Sequence, residues 1–381
     1  SHVHAPQYVF RGIGMDLPLL EWLQKYTFNE EKKYSNLDYA RICYEHFVND
    51  LKKSATTRAN IYATIHLESA LCLADLFEKS GMSVLLGKVN MDQNAIPELH
   101  ENTPRSLEET EIFINHLKDY KRVKPIITPR FVPSCSSELL QGLGKLARRY
   151  DVPIQSHLSE NHAEIDFVMN LYPECKTYAH VYDKFNLLND KTIMAHCVHS
   201  NQEECDLLIE RGAFMAHCPQ SNTNIISGVA PVVDYISQGI KVALGSDVAG
   251  GANINMFKAG ADAIQASKLR KAVLQDFGKE EKCLTPSQAF YMLTKQGGEF
   301  FEHSFGVKTG SFEKGYAFDA VIIDDNDFNP FRQEHYEKSN NLLSLYKNFS
   351  PEDRVERLFY LADDRHVTAK YINGECIYEK S

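Results

Sequence analysis

Along the chain, short apolar runs rich in β-branched residues alternate with longer stretches whose apolar positions recur every three or four residues. After an opening "SHVHAPQY" come "TTRANIYATI" (56–65), "SVLLGKVNM" (83–91), "RVKPIITPRF" (122–131), "VPIQSHLSE" (152–160), "KTIMAHC" (191–197), "GAFMAHCPQSN" (212–222) and "IKVALGSDVAGG" (240–251). With the opening piece these make eight strand candidates. Helical periodicity falls between them, over 36–53, 67–80, 106–119, 136–149, 160–171 and 201–211. The segment "LESALCLADLFEKSG" keeps its apolar residues on one face and has Gly81 as its stop. Strands alternating with helices imply a parallel sheet, and eight such units are the count of a (β/α)8, TIM-like barrel. A doubly wound sheet would want a Gly-rich turn after its first strand, and none is present. The expected class is therefore α/β, with a barrel over residues 1–305.

The pattern changes after residue 251. Two helical stretches, about 255–277 and 286–301, precede "GSFEKGYAFDAVIID" (310–324) and "HVTAKYINGECIYEK" (366–380). The last two alternate apolar and polar positions and read as antiparallel strands joined by a polar, loop-rich stretch. They predict that residues 306–381 contribute to a small β-sandwich subdomain. A strand opening at residue 2 reads as cut into, so an earlier piece of that subdomain is expected to be missing. Internal repeats and low-complexity tracts are absent from the sequence.

Composition narrows the possibilities. The 381 residues are 43% hydrophobic and 24% charged, ordinary for a globular chain. A net charge of -10 gives no electrostatic case for nucleic acid or anionic membrane. No apolar run approaches a membrane span, and no signal peptide is visible. The nine cysteines are scattered without a C-x-x-C pair, which suits reduced thiols in a cytoplasmic protein.

The candidate chemistry lies at the strand ends. His2 and His4 are separated by one residue, so in a strand both imidazoles face the same side. His157 ends the fifth strand, His196 the sixth, and Asp247 the eighth. All strands of a parallel barrel finish at one mouth, so these five residues are expected to converge there. Singly, His157 reads as a hydrogen-bonded core histidine and Asp247 as a turn residue. Together, imidazoles and a carboxylate suit zinc with a place left for water. Glu160, three residues beyond His157, is placed to shuttle protons, and an acid there also fits a helix N-terminus.

These residues resemble the amidohydrolase superfamily and, within it, the guanine deaminases. The resemblance spans nearly the whole chain, carried by "HVHAPQY", "LLEWLQKYTF" (19–28), "ITPRF", "QSHLSEN", "MAHC", "AHCPQSN" and "LGSDVAGG". It implies one Zn2+ per chain on His2, His4, His157 and Asp247, with His196 beside the reacting water. Binuclear members carry a carboxylated lysine at the end of the fourth strand. Here that position has Arg130, which implies a single metal, and Lys88 in the third strand is not a convincing substitute. Carried over by position, Gln7 and Arg130 hold the purine, Phe131 and the edge of Tyr8 line the pocket, and His157, Glu160 and Asp247 also meet the substrate. His217 and Cys218 belong to a pocket wall, and neither is assigned to the metal or to catalysis.

The implied reaction is hydrolysis of guanine to xanthine and ammonia in purine catabolism. Asp247 takes a proton from the attacking water, Glu160 delivers one to N3, and His196 holds the developing oxygen. Guanidinium and carboxamide donors suit the purine carbonyl that guanine has and adenine lacks. The resemblance also implies a homodimer. Two alternatives stay open: a deaminase of another amino-heterocycle (a pterin, cytosine or an adenosine derivative), and a metal-free scaffold or cytoskeletal homologue. The His-x-Glu and Pro-Cys-x-x-Cys signature of cytidine deaminases is absent.

Overall fold

The computed structural model describes residues 1–325 and 349–380. Eight parallel strand positions form its centre. In chain order they are β1 (Val3–His4), β2 (Arg58–Tyr62), β3 (Ser83–Gly87) continued by β4 (Val89–Asn90), and β5 (Val123–Pro125) continued by β6 (Thr128–Pro129). Then follow β7 (Ile154–Leu158), β8 (Thr192–His196), β9 (Phe214–His217) and β10 (Lys241–Leu244). The ladders run β1-β2-β3-β5 and β7-β8-β9-β10, with β4 paired to β6. Two seams join them. At one, Ile127 bridges Ile154 in parallel. At the other, Asp247 N–H donates to the His2 carbonyl at 3.0 Å and His4 N–H to the Val248 carbonyl at 3.1 Å. The result is the (β/α)8 barrel that eight strand–helix units require. Its strands are buried on both faces, which is why they read as unbroken apolar runs rather than alternating ones.

The helical periodicity becomes the outer layer. In the helix Leu37–Lys53, Asn36 caps the first turn by accepting from the Asp38 and Tyr39 amides. Ala40, Cys43, Tyr44, Phe47, Val48 and Leu51 form its buried stripe. Helix Leu67–Ser80 ends at Gly81, whose φ of 82° suits glycine. A Cβ there would stand 2.7 Å from Ile377, so the C-terminal sheet leans on this turn. Near the strand starts, Ile193 and Phe214 pack with Phe300 and Phe301 of helix Gly297–Phe305.

The C-terminal strands form one antiparallel sheet in the order β11 (Ala320–Ile323), β12 (Val367–Ile372), β13 (Glu375–Glu379). The stretch between β11 and β12, expected to be loop-rich, includes helix Pro351–Leu361. Ser350 and Asp353 form its capping box, and Phe359 is buried against Gly260. Its sequence, "PEDRVERLFYL", carries a helix start signal that its polarity masks. Among the described residues, no helix is long and apolar enough to cross a membrane.

Two buried cations fasten this sheet to the barrel. Arg58 of β2 pairs with Asp319 at 2.5 Å. Lys370 of β12 is fully buried and donates to the carbonyls of Leu51 and Thr56 at 2.9 and 2.7 Å. Burial lowers its pKa from 10.5 to about 7. Below that value folded and unfolded chains both carry the proton, and the full cost of burying charge is present. Between about 7 and 10.5 the unfolded chain binds more protons, so this site's contribution to stability rises with pH. Urea unfolding of the parent and of Lys370→Met from pH 7 to 10 is expected to show the parent gaining on the variant as pH rises. A gap that stays flat with pH contradicts the burial of this ammonium.

Candidate active site

The C-terminal ends of the strands bring together side chains from four parts of the chain. His2 and His4 flank Val3 in β1, and their rings lie 4.9 Å apart. His157 stands on β7, 4.9 Å from His2 and 5.2 Å from His4 by ring centroid. His196 is the last residue of β8, and Asp247 follows β10 by three residues. His196 and Asp247 have φ of 73° and 46°, in the left-handed region where a side chain costs free energy. Both turns direct a polar group inward. Gly250 stands close to Asp247, where a Cβ would come within 2.3 Å of Ser221 Oγ.

The donor atoms are spaced for a cation. His4 Nε2 lies 3.2 Å from both His2 Nε2 and His157 Nε2, and Asp247 Oδ1 lies 2.9 Å from His2 Nε2 and 3.3 Å from His4 Nε2. Donors held about 2.0–2.1 Å from a tetrahedral zinc stand about 3.3 Å from one another. His157 Nδ1 is 2.6 Å from the Arg130 carbonyl, so its N–H points there and its Nε2 lone pair points inward. Burial lowers the pKa of His2 to about 3 and that of His157 well below the ordinary value, keeping both imidazoles neutral. Burial would raise Asp247, but His2 and the hydrogen bonds from His2 and His4 outweigh it and hold the carboxyl well below its usual range. Neutral imidazoles and a carboxylate are the ligand forms zinc requires, and this donor set fits it. His2, His157, His196 and Asp247 also place one ligand atom each within 4.8 Å of one another. Lys88 is buried elsewhere, paired with Glu101 at 2.5 Å.

Proton-carrying groups stand beside the cluster. Glu160 is buried, and burial raises its pKa to about 7. Ser227 Oγ donates to its Oε1 at 3.0 Å, while Oε2 lies 3.5 Å from His196 Nε2. Helix His162–Leu171 is capped by Asn161 with Glu164 in a capping box, so the Glu160 carboxylate is left free of that duty. Burial would lower His196, yet Glu160 and Asp247 raise it above its ordinary value. Its Nδ1 is 2.8 Å from Asn222 Oδ1. Burial pushes His217 down to about 3, and it is not among the clustered donors.

A narrow cleft opens over the cluster. Its polar wall includes Gln7, Arg130, His157, Glu160, His196 and Asp247, and its apolar wall Leu19, Trp22, Leu23, Phe131 and Ile225. Tyr8 is not among the lining residues. Its hydroxyl donates to Asp50 at 2.5 Å and its ring packs on Phe47. Several contributors went unassigned in the sequence. Leu19, Trp22 and Leu23 belong to "LLEWLQKYTF", which carries the resemblance without a role for these three residues. Glu31 accepts from both Gln7 and Arg130. Ser227 shows no signal beyond the loop that holds it, and Asn222, in helix Pro219–Asn224, closes the "AHCPQSN" motif without a role read for it.

Residues 1–377 match the family model described as "Amidohydrolase family". The chain is 41% identical to guanine deaminase of Homo sapiens, covering 98% of this chain and 80% of that protein. It is 30% identical to guanine deaminase of Escherichia coli K12, covering 100% of this chain and 82% of that one. Among solved structures, guanine deaminase from C. acetobutylicum with bound guanine in its active site superposes with a TM-score of 0.90 at 46% identity, covering 99% of this chain and 85% of that chain.

The donor geometry makes a prediction about metal content. His157→Ala and Asp247→Ala, desalted at equal free zinc, are expected to retain at least about tenfold less metal than the parent. His217→Ala is expected to retain it in full. Elemental analysis decides; unchanged zinc in the first two variants contradicts the ligand set.

Proposed function

The chain belongs to the amidohydrolase family, and on that premise we propose that it deaminates guanine by hydrolysis, giving xanthine and ammonia. The observation that carries this reading is a single buried cleft. Arg130 and Gln7 present donors in it, beside a carboxyl poised near neutral pH and a cluster of metal-ligand donors. Guanine meets those donors through its carbonyl edge. Adenine would leave them facing an amino group, and a buried donor without a partner costs about 1–3 kcal/mol.

Zinc held by His2, His4, His157 and Asp247 would supply Lewis acidity and a water of pKa about 7. The chain's own residues then divide the work. Gln7 and Arg130 orient the purine, and Phe131 covers it. Glu160, with its pKa raised to about 7, carries a proton to N3 as water attacks C2. Asp247, held deprotonated, accepts the proton that the water gives up. His196, raised by its two acidic neighbours, donates to the developing oxygen. The proton accepted from water then reaches the amine through Glu160 or Asp247, the C2–N bond breaks as ammonia leaves, and the hydroxyl proton left on C2 returns to Glu160 as the carbonyl forms. Leu19, Trp22, Leu23 and Ile225 keep bulk water out.

One metal ion per chain is part of this reading, supported by Arg130 at the position where a bridging lysine would be needed. A cytoplasmic setting is supported by nine free cysteines, six of them buried, and a place in purine catabolism rests on the proposed reaction. Homodimeric assembly rests on the resemblance alone.

Glu160→Gln keeps the volume and the Ser227 hydrogen bond but cannot carry the proton. Its kcat on guanine is expected to fall at least about a hundredfold, while purine binding and zinc content stay within about threefold of the parent. Steady-state ammonia release and titration of bound purine measure the two. Near-parental kcat contradicts the assigned role.

A further inference from the structure

Glu31 does not line the cleft, yet it holds two residues that do. It closes a helical run that starts at Leu19, passes through a π-turn over Leu23–Thr27 and finishes as Phe28–Glu31. Its side chain is 7% exposed. One carboxylate oxygen accepts from Gln7 Nε2 at 2.8 Å, and the other accepts from Arg130 Nη1 at 2.5 Å. The far end of the Gln7 amide is occupied too, because the Ala249 N–H donates to Oε1 at 3.0 Å. A peptide N–H only donates and a carboxylate only accepts, so these partners determine which way round the amide stands. Gln7 keeps one amide N–H on the nitrogen held by Glu31 and one lone pair on the oxygen held by Ala249, and Arg130 keeps N–H groups alone.

We propose that Glu31 is a positioning residue for specificity: it holds the Gln7 amide in one orientation beside the Arg130 guanidinium, and the pair so held selects purines with a carbonyl at C6 over those with an amine. The proposal rests on the guanine reading above and deepens it. A 6-oxopurine offers N7 and O6, two adjacent acceptors, whereas a 6-aminopurine offers an acceptor beside a donor. An unrestrained glutamine serves the second edge well, giving its oxygen to the amine and its N–H to N7. Glu31 removes that option by tying the amide nitrogen to a group that cannot donate. Discrimination then comes from a built conflict with the wrong base as much as from affinity for the right one. Arg130 is restrained in the same way, with one nitrogen spent on Glu31 and the rest of the guanidinium available as donors.

Glu31→Gln tests this with little change in volume, since a glutamine there can donate as well as accept. Glu31→Asp keeps the charge but shortens the reach to both partners. Trp22 is the only tryptophan of the chain and lines the cleft, so its fluorescence reports binding. The zinc-loaded full chain is titrated with hypoxanthine and with adenine, which differ at C6 and in the N1 proton that goes with the carbonyl, and which both lack the amine at C2. The parent is expected to favour hypoxanthine, and both variants to lose at least about tenfold of that preference. A Kd ratio unchanged in the variants, whether or not both affinities fall, overturns the proposal. So does loss of the thermal transition in both variants, which makes Glu31 a structural residue. Ammonia release from guanine by the parent is measured alongside. Its absence sinks the guanine reading itself, while release with an unchanged ratio sinks only the role of Glu31.

Discussion

Four ligand atoms pointed at one another across about 3 Å, in a place with little water, are the constraint on which the rest of the site depends. At these distances the Nε2 atoms of His2, His4 and His157 compete for the same few protons, with the His157 lone pair turned inward and Asp247 already accepting from His2 and His4. A cation resolves that conflict. The same residues also sit at a seam of the barrel, since the Asp247 amide donates to the His2 carbonyl across it. The chemistry and the closure of the fold therefore share the same few residues, and the left-handed turns at His196 and Asp247 are tolerated where both are served.

Around that centre the charges are divided by environment. Asp247 is held as an anion by its histidine neighbours, while Glu160, eighty-seven positions earlier, is driven the other way by burial. Two carboxyl groups with opposite shifts give an acceptor and a carrier of protons within one cleft. His196 touches both, at 3.5 Å from Glu160 and 3.7 Å from Asp247.

Much of this was legible in the sequence, for physical reasons. Parallel strands buried on both faces leave apolar runs, so eight of them were countable, and polar residues closing such runs stood out at His157, His196 and Asp247. His2 and His4 were readable from the two-residue period of a strand. What the sequence concealed depends on distance or on local geometry. Glu31 looks like one more acid in "FNEEKK", and only the π-turn ahead of it and a partner ninety-nine residues away reveal its work. Tyr8 lies one residue beyond Gln7 in a tight 3-10 turn, which carries its hydroxyl away to Asp50. Lys370 sits in an alternating strand where a lysine reads as solvent-facing, while its ammonium is buried among carbonyls of the barrel.

The most direct test of the central claim is ammonia release from guanine by the zinc-loaded protein, before and after chelation, with adenine, cytosine and a pterin in parallel. The account predicts release from guanine alone, abolished by the chelator and restored by zinc. Release from another base with guanine untouched, or release from guanine that survives complete removal of the metal, would contradict it.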